Sequence, residues 1–220
     1  MFKKKQESKE KQKLKQKSAL SVKERIALKA VQLQLQNIQL KEYIMMASFI
    51  MGAALLRVPM QAIPSAEPLT FFAILGGWMF GRNKGAVIGA GSLIMSNFYV
   101  MGGQGPWSPF QALSFGAAGF LGGFLRKNAR WFEVVGITIL ATLTFEIIMN
   151  VYSGFFFGGR ILLAFLSALP FIGVHLVSNT MFSFLIPITK KVIYDKTELK
   201  DKSRCKELIQ KINSRITKIG

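Results

Sequence analysis

GGQGPWSPFQALSFGAAGFLGGFLRK, residues Gly102 to Lys127, is the stretch on which the fold turns. It opens as an uncharged loop of glycine, glutamine, proline and tryptophan. It continues as an apolar helix studded with small residues and stops at the cationic pair Arg126-Lys127. A loop able to touch a ligand is thus joined to a helix able to pack closely, and the charge marks which side of a membrane that helix ends on. The pattern reads as part of a membrane-embedded protein that binds a small molecule.

The composition agrees. Half of the 220 residues are hydrophobic, with 19 Phe and 10 Met, yet the formal net charge is +18. The charge is segregated, at +8 in residues 1–43, +4 in 44–189 and +6 in 190–220. Basic arms around an apolar body fit the negative inner face of a membrane, worth about 1 kcal/mol per cation near the surface. Nucleic acid is the competing partner for such basicity. No aromatic residues interleave with the charges and no zinc-knuckle spacing occurs, so none is expected. Residues 1–20 read as a solvated arm without the apolar core of a cleavable signal peptide.

Six hydrophobic segments follow, at about 43–58, 69–80, 85–101, 110–125, 131–152 and 161–188, the last containing Pro170. A span needs about 20 residues, so the second and fourth are short and the last two ample. Arg82 and Lys84 separate segments two and three, and Arg126, Lys127 and Arg130 separate four and five. The opposite connections carry only Arg57 and Arg160 among basic residues. The expected architecture is therefore all-α, a six-transmembrane-helix bundle with both termini cytoplasmic. Its expected parts are a basic arm with an amphipathic surface helix (1–42), the membrane domain (43–189) and a basic amphipathic helix (190–220). In the first arm Ser21 and Glu24 have capping-box spacing. The run VQLQLQ there alternates with period two, but the wider stripe of Val22, Ile26, Val31, Leu35 and Ile38 predicts a helix.

The outward loops hold candidate ligand contacts: Glu67 in MQAIPSAEP, Gln104, Trp107 and Gln111 in and after the opening loop, and the aromatic run YSGFFFGGR. Trp107 reads equally as a pocket or lid residue and as part of an interfacial aromatic belt, while Phe155 to Phe157 favour the belt. Inside the segments, an ionisable side chain costs at least about 2.5 kcal/mol to insert and marks function by default. Glu146 lies on one stripe with Thr142 and Asn150, about 9 Å below the outer end if the helix stops at Tyr152. His175 lies on a stripe with Ser167, Asn179 and Ser183, about 22 Å from Arg160. Glu146, Asn150 and Asn97 are candidates for ligand contact. His175 and Asn179 are assigned to coupling or helix packing, at a different depth from Glu146, so no catalytic pair is expected. Gly85/Gly89, Gly119/Gly123 and Ser48/Gly52 are small-residue pairs four apart and candidate contacts with a partner subunit.

Enzyme readings find little. No nucleophile elbow lies within a span. The single Cys205 excludes dithiol chemistry within the chain. One histidine and three dispersed core carboxylates predict no metal site, and there is no P-loop. A non-catalytic binding subunit without a cofactor is expected. The runner-up is a membrane scaffold or small-molecule channel whose polar stripes only hold helices together.

Residues 43–189 resemble the substrate-binding S components of energy-coupling-factor vitamin transporters. The resemblance rests on Pro64-Ser65-Ala66-Glu67-Pro68, the glycines from Gly76 to Gly91, Asn97, the run Gly105 to Gln111 with the Gly116 to Gly123 helix, and His175-x-x-x-Asn179. It implies six membrane helices, an outward pocket gated by the first and third loops, and no catalysis by this chain. It also implies partners, namely a vitamin-like ligand, a transmembrane coupling subunit and two cytoplasmic ATPases. Docking on the coupling subunit commonly uses two alanines four apart on the first helix. Ser48 and Gly52 hold that spacing here.

Overall fold

A computed structural model describes residues 22–63, 65–156 and 158–219. The expected arm 1–20, the Ser21 cap, Pro64 and Phe157 lie outside the described residues. Every regular element among them is helical. The chain divides into two compact units, one of Tyr43–Asp195 and one formed by the chain ends up to Glu42 and from Lys196.

Helix α1 (Val22–Met60) runs unbroken through the alternating VQLQLQ, so the period-two pattern gives way to the helical one. Then come α2 (Leu69–Phe80), α3 (Arg82–Ser96), α4 (Ser108–Gly122), α5 (Trp131–Phe156), α6 (Ile161–Ser183) and α7 (Leu185–Lys196). A 3-10 turn (Glu198–Asp201) and α8 (Lys202–Ile219) close the chain. Three stretches are long and apolar enough to cross a membrane: Arg25–Met60, Trp131–Phe156 and Ile161–Lys196. At 1.5 Å per residue the shortest of them covers about 39 Å, more than the hydrocarbon thickness of about 30 Å. Leu69–Phe80 is apolar but only 12 residues long.

The short helices α2, α3 and α4 meet backbone to backbone through glycine. A methyl on Gly77 would lie 2.0 Å from the Gly119 carbonyl oxygen, and one on Gly89 would lie 2.0 Å from that of Phe115. Gly85 and Gly119 oppose each other directly, with clashes of 2.4 Å and 2.0 Å onto each other's carbonyl oxygens. Gly85, Gly89 and Gly119, candidates for contact with a partner subunit, thus pack against backbone of the same chain. Helices of 12 to 15 residues have little side-chain surface to share, and close approach restores their dispersion contacts. Around this seam lies an apolar core of Phe49, Ala73, Ile74, Leu75, Ile88, Ala118, Val134 and Ile186.

Cations gather where α2 ends and α3 begins. The Arg82 guanidinium stacks 3.8 Å above the Phe124 ring, and Lys190 Nζ sits 3.4 Å above Trp78 while donating to the Lys127 carbonyl. Trp78 Nε1 donates to the Arg126 carbonyl at 2.7 Å. Aromatic faces and backbone carbonyls thereby hold Arg82 and Lys190 beside the Arg126-Lys127 turn at one end of the unit.

In the unit of the chain ends, Lys202 pairs with the buried Glu42, and Cys205 is buried. Helix α8 is amphipathic, as the spacing of Leu208 and Ile212 predicts.

Candidate functional site

The opposite end of the central unit holds the charged interior. Arg57, one turn before the end of α1, donates from Nη1 to Ser96 Oγ at 2.8 Å and to Asn97 Oδ1 at 3.0 Å. Its Nε stands 3.3 Å from Glu67 Oε2. Asn97 in turn donates to Ser108 Oγ at 3.3 Å, and that hydroxyl also accepts the Gly105 N–H at 2.9 Å. The first turn of α4 is therefore tied to the last turn of α3, and Pro109 just inside α4 suits a helix start. Glu67 sits two residues after Ser65, whose φ of 61° lies in the left-handed region that side chains other than glycine seldom adopt. The chain turns sharply there to bring the carboxylate back over the bundle.

Glu67 Oε1 faces His175 Nε2 at 3.8 Å, and His175 Nδ1 contacts Glu146 Oε1 at 2.6 Å. Asn150 Nδ2 donates to the other Glu146 oxygen at 3.2 Å. One turn further along α6, Asn179 Nδ2 donates to Thr142 Oγ1 at 2.9 Å and to Thr70 Oγ1 at 3.3 Å. A continuous polar path thus runs from Ser108 through Asn97, Arg57, Glu67 and His175 to Glu146 and Asn150. It draws on α1, the α1–α2 loop and α3 to α6. Glu146, Asn150, His175 and Asn179 are all buried. Phe145 packs edge-on against the imidazole at 5.1 Å and Phe115 packs on Phe145 at 5.0 Å, which keeps the local dielectric low.

The separation of Glu146 and His175 by depth is corrected by this contact. Helix α5 continues four residues past Tyr152, to Phe156, so Glu146 is ten residues from its end, about 15 Å. His175 is fourteen residues from the start of α6, about 21 Å. Two long side chains close the remaining 6 Å or so.

The other expected residues are placed unequally. Gln111 stands one turn from Phe115 in α4, and its Oε1 is buried without a hydrogen-bond partner. Gln104 donates to the Ile94 carbonyl at 2.9 Å, pinning its loop to α3. The Trp107 ring packs over Gly105 in its own loop, within 2.5 Å of where a methyl on that glycine would stand, and is 37% exposed. Ser48 is exposed and bonds back to the Ile44 carbonyl, while Gly52 faces Phe72 at ordinary contact distance. Ser183 is buried on the His175 face, and Ser167 is exposed.

Arg57 is the participant the sequence disguises. As the lone cation of an outward connection it reads as a topology marker, although its nearness to Glu67 carries the signal of an ion pair. Replacing it with Lys removes a fork that reaches three acceptors at once. Arg57→Lys is expected to lower stability by about 1–3 kcal/mol, read as a lower melting temperature in detergent. An unchanged melting temperature contradicts this role.

In the central unit four buried polar atoms have no hydrogen-bond partner among the described residues: His175 Nε2 and Asn179 Oδ1 in the cluster, with Ser92 Oγ and Gln111 Oε1 on α3 and α4. Each costs about 1–3 kcal/mol if left so. Two cavities adjoin the path. One of about 610 Å³ between α5 and α6 reaches it at Asn150 and is also lined by Ser153, Arg160 and Ser167. The other, about 800 Å³, lies beside Ala66 and is lined almost wholly by apolar groups such as Met60, Val174 and Met181. No group of three His, Cys, Asp or Glu among the described residues is arranged to hold a metal ion.

Fold and site together define a protein whose described residues are helical in every regular element, with three helices among them able to cross a membrane and a charged, largely buried cluster assembled from most of the central helices. The chain belongs to the family of unknown function DUF6580, whose profile matches residues 37–199 and so takes in the whole cluster. No curated protein and no solved structure matches it.

Proposed function

We propose that this chain is the membrane-embedded capture subunit of an ATP-driven importer of the energy-coupling-factor kind. It takes up a vitamin or vitamin-like micronutrient at the Arg57–Glu67–His175–Glu146 cluster. It passes the cargo through a transmembrane coupling subunit driven by separate cytoplasmic ATPases. In this reading the chain crosses the cell membrane six times, with both termini inside and the cluster toward the outer face.

One observation carries the reading. Charged and polar side chains from α1, the α1–α2 loop and α3 to α6 converge in the cluster, and two buried polar atoms there, His175 Nε2 and Asn179 Oδ1, have no partner among the described residues. A scaffold whose stripes served only packing would gain from satisfying them, so their persistence favours a ligand over the scaffold or channel alternative. The clustering of Arg82, Arg126, Lys127 and Lys190 at the far end supports the orientation. Helix α1 presents an exposed strip of Ile44, Ala47, Ser48, Met51 and Leu55, a surface suited to the coupling subunit.

The transport half is tested by affinity purification from native membranes under mild detergent. A coupling subunit and ATPases are expected to come with the tagged chain, and recovery of the chain alone counts against delivery. The orientation is tested with Cys205→Ser, Gln104→Cys and a membrane-impermeant maleimide. Labelling of intact cells is expected; labelling only after permeabilisation reverses the topology.

A further inference from the structure

We infer that the cluster selects a ligand that donates N–H bonds and carries positive charge, such as an amidinium, an ammonium or a protonated aminoheterocycle. The inference rests on the capture reading and adds the chemical class of the cargo. Its starting point is the pairing of His175. An ionised Glu146 only accepts hydrogen bonds, so the 2.6 Å contact places the imidazole proton on Nδ1. In its neutral form the ring turns Nε2, a bare acceptor, toward Glu67 Oε1 at 3.8 Å. Two acceptors then face each other with no proton between them, in need of a donor beside them.

Other unpartnered buried atoms of the central unit make the same demand. Asn179 spends its N–H donors on Thr142 and Thr70, which leaves Oδ1 as the unsatisfied end. Gln111 likewise has its carbonyl oxygen unpartnered. Three of the four open valences are therefore acceptors, and the fourth, Ser92 Oγ, can serve either way.

Charge accounting points in the same direction. Two carboxylates, Glu67 and Glu146, face one guanidinium, Arg57, which is already committed to Glu67, Ser96 and Asn97. With a neutral imidazole the cluster holds one uncompensated negative charge. A buried charge without a counter-charge is costly, and a cation supplied by the ligand removes that cost. The Arg160 side of the adjoining cavity remains open to a polar or anionic tail on the same molecule.

Benzamidine and benzoate share size and ring and differ in the sign of their charged group, so they make a matched pair of probes. The purified full-length chain is extensively dialysed in detergent and its melting temperature measured with each. Benzamidine is expected to raise it by several degrees in the wild type and by less than one degree in Glu146→Gln, with no rise from benzoate. Protection by benzoate and not benzamidine overturns the inference and leaves the capture reading standing. Protection by neither also overturns it, since an imidazolium at His175 would then have met the demand with a proton. The capture reading is decided separately, by whether the chain carries any bound small molecule at all.

Discussion

Glu146→Ala is expected to destabilise the protein by about 3–5 kcal/mol, because two buried N–H groups lose their acceptor at about 1–3 kcal/mol each. For a chain of this size that lowers the melting temperature by something on the order of 10 °C. The magnitude follows from what the carboxylate holds. Its Oε1 takes His175 Nδ1 at 2.6 Å and its Oε2 takes Asn150 Nδ2 at 3.2 Å. Truncation leaves both donors buried, and it also frees an imidazole already unpartnered at Nε2. Glu146→Gln keeps the shape and an acceptor oxygen, so it is expected to cost much less stability while weakening ligand affinity at least tenfold. A Glu146→Ala protein that melts with the wild type contradicts the cluster as drawn.

Gly119→Ala is the second large effect. The added methyl would lie 2.0 Å from the Gly85 carbonyl oxygen and 2.3 Å from its carbon. Backbone cannot rotate away as a side chain can, so α3 and α4 must separate and reopen the seam that holds α2. The expected loss exceeds about 3 kcal/mol, the upper end of ordinary overpacking. Gly136→Ala is the control. Nothing lies within 4 Å of its added methyl, and the site is exposed within α5. Helix propensity alone then predicts a gain of about 0.5–1 kcal/mol. Thermal denaturation of the two variants side by side checks both signs, and equal behaviour refutes the packing account.

These residues also show what the linear sequence could and could not disclose. The stripe Thr142, Glu146, Asn150 is legible because four-residue spacing puts polar groups on one helical face, and all three are buried. His175, Asn179 and Ser183 are legible for the same reason. What the spacing hides is distance between helices. An end of α5 at Tyr152 separates the depths of Glu146 and His175, and the further turn of helix to Phe156 erases about half of the gap. Arg57 finds Ser96 and Asn97 some 40 residues away, a contact no local pattern contains. The glycine pairs announce close approach, but spacing alone does not say whether the approaching helix belongs to the same chain. The expected second segment, 69–80, coincides with α2, and the first is the end of a helix beginning at Val22. Hydrophobicity marks what lies in an apolar medium, whereas helix boundaries follow backbone hydrogen bonds, and these persist through the polar run before residue 43.

In the proposed role this cluster holds a small molecule within the membrane. Native mass spectrometry of the gently purified, undialysed chain tests it most directly. A population heavier than the polypeptide by one small ligand is expected, and it is lost in Glu146→Gln under the same conditions. A wild-type chain found only at its polypeptide mass, and unchanged by a panel of vitamins, would contradict it.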